Sequence, residues 1–178
     1  MNSHYLCSME SIVLNHLTIG YKHKVVATDL QAGLHAGEFT CLLGPNGVGK
    51  STLLRTLSGF IPPLKGCVEL NGKDISQLKP YECAQQIGVV LTTKLDTANI
   101  TVAELVGMGR YPYTGFFGRL KANDHQIVDE AMAMTGIKPL QSRLIHTLSD
   151  GERQKTMIAK ALAQQTPVIF LDEPTAFL

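Results

Sequence analysis

Residues 39–59, FTCLLGPNGVGKSTLLRTLSG, place a nearly all-apolar run, a glycine-rich turn and a helical pattern in immediate succession. The run 39–43 reads as a fully buried strand. After Ser51, Leu53, Leu54, Leu57 and Ser58 recur on one helical face, which Gly59 and then Pro62 and Pro63 would end. Between them, GPNGVGKS at 44–51 matches G-x-x-x-x-G-K-[ST]. The glycines let successive backbone N–H groups turn inward toward phosphate oxygens. Lys50 reaches the outer phosphates, Ser51 offers a hydroxyl to Mg²⁺, and the following helix presents its positive end. Gly-rich turns are common, so the pattern alone is weak, but strand, glycine loop and helix in this order are what a phosphate cradle requires. The candidate nucleotide contacts are Gly44, Pro45, Asn46, Gly47, Val48, Gly49, Lys50, Ser51 and Thr52.

Upstream, Ile12, Leu14 and His16 alternate with polar residues in the stretch 11–21 (SIVLNHLTIGY), the pattern of a half-buried strand. His35-Ala36-Gly37-Glu38 carries a turn signal, and Val68-Glu69-Leu70 leads into Asn71-Gly72, the strongest short hairpin dipeptide. Together these pieces predict a small antiparallel β layer. Downstream, the β-branched run 87–91 (IGVVL) precedes a mostly helical stretch to about residue 145. Within it, Asn123 and Gln126 form a plausible cap for a helix carrying Ile127, Val128, Ala131, Met132 and Met134, the two methionines being expected in the core. A last helix is expected near Ser149, with Met157, Ile158, Ala161 and Leu162 on one stripe; Pro167 and a final strand follow.

That strand, VIFLDE at 168–173, reads as a buried parallel strand delivering Asp172 and Glu173 at its carboxyl end, where open α/β sheets bind ligands. Asp172 would support Mg²⁺, and Glu173 would orient or deprotonate a water. Two acids after a strand are otherwise an ordinary solvated strand end; the phosphate loop upstream weighs against that. The third motif is LSDGERQ at 148–154. Its Ser149 and Glu152 form S-x-x-E, a capping box whatever else they do. The stretch also resembles the LSGGQ-like signature of the ATP-binding-cassette (ABC) ATPases, and three motifs in this order are hard to obtain by chance.

The resemblance runs over about residues 11–178 and implies an α/β fold: a P-loop NTPase core of the ABC ATPase kind, with an antiparallel β subdomain and a helical subdomain at about 92–150. Residues 1–10 read as an N-terminal extension. Because the sequence stops at Leu178 just after a strand and its acids, further strands and helices of the domain are expected beyond it. By the same resemblance, ATP and Mg²⁺ are bound, and Lys50 and Glu173 are the catalytic pair. Leu148, Ser149, Asp150, Gly151 and Glu152 of one subunit face the γ-phosphate held by the loop of another, so a homodimer or a paired ATPase subunit is implied. Tyr21 stands where the family often stacks an aromatic on adenine; a strand-end tyrosine packed on the β layer is the plainer reading.

Two positions depart from the family pattern. The glutamine that usually enters the helical lobe and touches Mg²⁺ is matched by Thr92, a much shorter arm. Asp150 and Glu152 replace neutral signature residues, putting carboxylates where the partner's γ-phosphate would lie, partly offset by the helix N-terminus. Glu104-Leu105-Val106 and Gly109-Arg110-Tyr111-Pro112 resemble the ELV and GRYP segments of the ATPases of iron-siderophore, haem and cobalamin importers. That implies integral membrane permease partners, indirectly a substrate-binding protein, and a place on the cytoplasmic face of the membrane. An amphipathic helix followed by an ordinary loop would explain the same residues. Rival functions are a soluble non-transport ABC ATPase and a nucleotide-binding module with little hydrolysis.

Bulk properties agree. The 178 residues suit one domain, and 44% hydrophobic against 17% charged residues is globular composition. A net charge of +1 with scattered Lys and Arg argues against a nucleic-acid partner. No apolar run approaches the ~20 residues of a membrane span. Cys7, Cys41, Cys67 and Cys83 lack metal spacing and read as reduced core thiols.

Overall fold

The computed structural model describes residues 10–91, 99–115 and 118–172. Thr92, Glu173 and Cys7 lie outside the described residues. The chain divides into two compact units, Met1–Cys83 and Ala84–Leu178.

The first unit is the expected antiparallel layer. Strands β1 (Glu10–Tyr21), β2 (Lys24–His35), β3 (Lys65–Leu70) and β4 (Lys73–Asp74) form one sheet in the order β2-β1-β3-β4. Asn71 and Gly72 turn β3 into β4 with φ of 50° and 75°, the left-handed pair that a two-residue hairpin needs. Ile12, Leu14, Leu17 and Ile19 of β1 are buried with Val68 and Leu70 of β3. His16, expected in that buried series, is exposed instead. Ile12 and Leu14 share one phase of the alternation and Leu17 and Ile19 the other, so a strict period of two would turn half of them to solvent. A bulge resolves the conflict: the register shifts between Leu14 and Leu17, and His16 takes φ 47° opposite Asp29 at φ 54°. His16 Nδ1 lies 2.7 Å from Asp29 Oδ1 outside the core.

Helix α1 (Lys50–Leu57) follows the glycine loop as expected, buries Thr56 and Leu57, and stops at Ser58 and Gly59, the latter at φ 75°. Short helix α2 is Pro80–Ala84. The run 39–43 is not a strand. A strand exists only through a hydrogen-bonded neighbour, and none of the ladders among the described residues includes it. Its side chains accordingly stand out, Phe39 at 92% and Leu43 at 83% exposure. Cys41, expected as a core thiol, is exposed for the same reason, while Cys67 and Cys83 are half-buried.

In the second unit, β5 (Ile87–Val90) and β6 (Val168–Leu171) pair in parallel, Ile87 opposite Val168 through Val90 opposite Leu171. Helices α3 (Val102–Gly107), α4 (Ala122–Met134) and α5 (Asp150–Ala163) pack together around Val102, Leu105, Val106, Val128, Ala131, Met132, Ile137, Ile145 and Leu148. Helices α3 and α4 lie in the stretch expected to be mostly helical, and α5 is the last helix expected near Ser149. Two local expectations are corrected. Helix α4 begins at Ala122, earlier than an Asn123 cap allows, and its third residue, Asp124, accepts the Lys121 N–H at 2.9 Å. Met134 is exposed while Met132 is buried, because positions two apart lie about 200° apart around a helix. β6 is parallel as read but not buried on both faces: Phe170 is covered, whereas Ile169 and Leu171 remain over a third exposed on a two-stranded sheet.

Candidate functional site

The phosphate loop lies wholly in the first unit. Gly47 at φ 79° and Gly49 at φ 112° adopt backbone that side chains resist, and a Cβ on Gly47 would meet nothing within 4 Å. Gly49 is different: a Cβ there would lie 2.2 Å from Val26 Cγ1, so a β2 valine packs directly under the loop. Sequence reasoning missed Val26, since a valine in a strand carries no signal of what it touches. Gly49 also serves as the residue before α1, and no side chain caps that helix start. Orphan N–H groups at an uncapped helix N-terminus suit an anion. Lys50 folds back, donating from Nζ to Gly44 O at 2.9 Å and Pro45 O at 3.0 Å. These carbonyls hold the ammonium at the loop mouth. Tyr21 ends β1 opposite Lys24 and is about half exposed.

The second unit carries the other motifs. Ser149 is the residue before α5, and its box with Glu152 is complete: Glu152 N donates to Ser149 Oγ at 3.3 Å, and Ser149 N donates to Glu152 Oε2 at 2.8 Å. Ser149 Oγ also donates to Glu152 Oε2 at 3.0 Å. The backbone bond from Ser149, then its hydroxyl, holds the Glu152 carboxyl below the usual glutamate range, with Arg143 and Lys155 assisting. Both signature acids have arginine neighbours: Arg153 Nη1 is 3.2 Å from Asp150 Oδ1, and Arg143 Nη1 is 3.9 Å from Glu152 Oε1. The sequence did not reveal this compensation, since Arg143 lies nine residues before Glu152. Gly151 opens to space, with nothing within 4 Å of a Cβ placed there.

Asp172 follows β6, 6% exposed, with its N–H donated to Val90 O at 2.9 Å, which extends the β5 ladder by one bond and fixes the backbone that bears the carboxylate. The hydroxyl of Ser51 and the carboxylate of Asp172 are hard oxygen donors, the chemistry Mg²⁺ prefers. Among the described residues no group of three or more His, Cys, Asp and Glu could hold a metal ion.

The sequence profile described as ABC transporter matches residues 27–176, most of the chain and all three motifs. The chain belongs to the ABC transporter family. As an ABC transporter family chain it is 45% identical over 163 residues to an uncharacterized ABC transporter ATP-binding protein of Methanocaldococcus jannaschii, covering 92% of this chain and 56% of that protein. It is 44% identical over 162 residues to the ferric enterobactin transport ATP-binding protein of Escherichia coli, covering 91% and 60%. With the iron(3+)-hydroxamate import ATP-binding protein of Bacillus subtilis it shares 41% over 170 residues, covering 96% and 63%. The chain thus spans about 56–63% of the length of these relatives. Among solved structures, an ABC transporter in an inward-facing conformation superposes at TM-score 0.80 with 30% identity over 95% of this chain and 62% of that one. A nucleotide-free ATP-binding cassette at 22% identity, TM-score 0.81, covers 94% of this chain and 70% of its own, and bears on the fold alone. The fold is that of an ABC ATPase domain.

Proposed function

We propose that this chain is the nucleotide-binding part of the ATP-hydrolysing subunit of an ABC importer that takes up an iron chelate, haem or cobalamin. The observation that carries the reading is the phosphate loop, whose left-handed glycines, uncapped α1 start and Lys50 ammonium beside Gly44 O and Pro45 O suit an anion. The relatives named for ferric enterobactin and iron(3+)-hydroxamate supply the cargo class, and the GRYP segment supports it. The importer reading implies permease subunits that supply the path, with this subunit on the cytoplasmic face; no helix among the described residues is long and apolar enough to cross a membrane.

In this reading Lys50 leaves its loop carbonyls for the β- and γ-phosphates of ATP, and Tyr21 stacks on the adenine. Ser51 and Asp172 would hold Mg²⁺, which when bound screens the phosphate charge. Glu173 orients a water toward the γ-phosphorus, and its carboxylate accepts the proton. Ser149 and Gly151 of a second subunit complete the phosphate shell from the other side, so two chains enclose two nucleotides. The arginine partners of Asp150 and Glu152 lower the cost of bringing those acids near a phosphate, which weakens the rival reading of a module that binds but hardly hydrolyses. A soluble, non-transport role is the remaining rival; reconstitution with a permease tests it.

The decisive experiment measures ATP hydrolysis by the full-length protein beside its Glu173→Gln variant. We expect turnover in the first and, in the second, ATP binding with turnover at least about a hundredfold lower. Equal, negligible rates in both would sink the hydrolase reading.

A further inference from the structure

The GRYP segment resembles an importer feature in sequence, and in the structure its first two residues grip α5 by its C-terminal end. A Cβ on Gly109 would lie 2.3 Å from Lys160 O, so only glycine allows this backbone to lie against the last turn of α5. Arg110 is buried, 5% exposed. Its Nε donates to Asp124 Oδ1 at 2.9 Å, and its Nη1 donates to Ala163 O at 2.9 Å and to Gln165 Oε1 at 3.2 Å. The guanidinium carbon sits 4.2 Å from the centre of the Tyr113 ring. Asp124 is fully engaged, its other oxygen accepting the Lys121 N–H.

The contacts to Ala163 O and Gln165 Oε1 fall on the joint between α5 and β6, and Asp124 ties the same guanidinium to the start of α4. Ala163 is the last residue of α5, and its carbonyl is one of those a helix leaves without an internal partner. A cation there also meets the negative end of the helix. Gln165 stops the helix with φ 52°, unusual for a side chain this size, and β6 begins three residues later at Val168. Helix α5 is 14 residues, or about 21 Å, long. It joins Ser149 and Gly151 at its start to the strand that delivers Asp172. Gln164 reinforces the same joint, donating from Nε2 to Ile87 O at 3.1 Å and to Ala84 O. Apolar packing would leave the helix end several rotations. A planar fork that meets Asp124, Ala163 O and Gln165 Oε1 together admits one.

We propose that Arg110 is a positioning residue for ATP hydrolysis, which through the C-terminal end of α5 fixes the register between the signature at Ser149–Gly151 and the Asp172 end of β6. The proposal rests on the ATPase reading above and adds a buried residue that acts through the end of α5.

The test uses full-length Arg110→Met, with Arg110→Lys as the gentler variant. Lysine keeps the buried positive charge but cannot span Asp124, Ala163 O and Gln165 Oε1 together. Three quantities are read: kcat and KM for Mg-ATP, the fraction folded by thermal melt, and hydrogen exchange of the backbone amides at 163–172. We expect folded Arg110→Met to lose about tenfold or more in kcat with KM within about twofold, since the phosphate loop is untouched, and to exchange faster at 163–172. Arg110→Lys should fall between it and the parent on both readouts. If Arg110→Met does not fold, the Lys variant carries the same expectation alone. A folded variant with parental kcat, a kcat loss that merely tracks the folded fraction, or unchanged exchange at 163–172 each overturns the proposal. Should the parent protein show no hydrolysis, the functional reading fails, and the exchange measurement still decides whether Arg110 holds the joint.

Discussion

Helices α1 and α5 both present their N-termini at motif residues, yet they finish those ends in opposite ways. The start of α1 follows a left-handed glycine and carries no side-chain cap, the kind of helix end that suits an anion. The start of α5 is closed by its own residues, Ser149 and Glu152 satisfying one another's backbone. An open helix end makes a binding site from backbone alone and stabilises little. A closed one is stable first, and any phosphate that approaches it must share Ser149 with Glu152.

The largest effect should come from the open end. Lys50→Ala removes the cation of the loop, and ATP hydrolysis by the full-length protein should fall by about a hundredfold or more. Thermal stability should shift by no more than about 0.5 kcal/mol, since the two bonds lost, to Gly44 O and Pro45 O, are solvent-exposed. A variant that both melted early and lost activity would mean the loop is a structural element, and the contrast with α5 would collapse.

Next comes the buried pair behind α5. Asp124→Ala leaves the Arg110 guanidinium without its counterion in a closed pocket and should cost about 3–5 kcal/mol in denaturant unfolding. Asp124 also sets a pH dependence. The Lys121 N–H, then Arg110, hold its native pKa below the ordinary 3.8. A depressed carboxylate pKa gives stability that is present in full above the ordinary value and is lost as pH falls through the lower native one. The parent should therefore lose stability on acidification below about pH 4, more steeply than Asp124→Asn, which has no such proton to take up.

The contrast between the two helix ends was half legible in the sequence. GPNGVGKS announced itself because its glycines, lysine and serine stand directly ahead of a helical pattern, and S-x-x-E at 149–152 announced its cap because that chemistry is local. The order of β and α segments and the Asn71-Gly72 hairpin were readable for the same reason. What escaped depends on partners distant in sequence. The run 39–43 looked like a strand from its side chains, yet a strand is defined by a neighbour, and none pairs with it among the described residues. The bulge at His16 was hidden in a change of phase between Leu14 and Leu17. Arg110 passed as part of a cargo-related segment because its three acceptors stand 14, 53 and 55 residues away. Arg143 and Arg153, which face the signature acids, were likewise ordinary basic residues until the fold placed them.

A milder change sharpens what the closed end does. Glu152→Gln keeps an acceptor for the Ser149 N–H but removes a carboxylate, which like any glutamate is charged at neutral pH. If Ser149 and Gly151 meet a partner's γ-phosphate, removing that like charge should raise ATP turnover or lower KM by about two- to fivefold, and more at low salt than at high. A loss of activity instead would show that the carboxylate, and not merely the cap, is needed.

The smallest effect compares two caps built alike. Thr101 closes α3 with Glu104 as Ser149 closes α5 with Glu152, each with a hydroxyl accepting from the third backbone N–H and a carboxylate returning to the cap. Thr101→Ala and Ser149→Ala should each cost about 1 kcal/mol of unfolding free energy, because the local chemistry removed is the same. Their consequences for ATP turnover should diverge, with Thr101→Ala leaving kcat and KM unchanged and Ser149→Ala lowering kcat. Equal stability loss with unequal activity would assign the second role of Ser149 to the ligand it faces, since the cap accounts for everything the two serve in common. Equal losses of both would return Ser149 to the capping role that its sequence already explains.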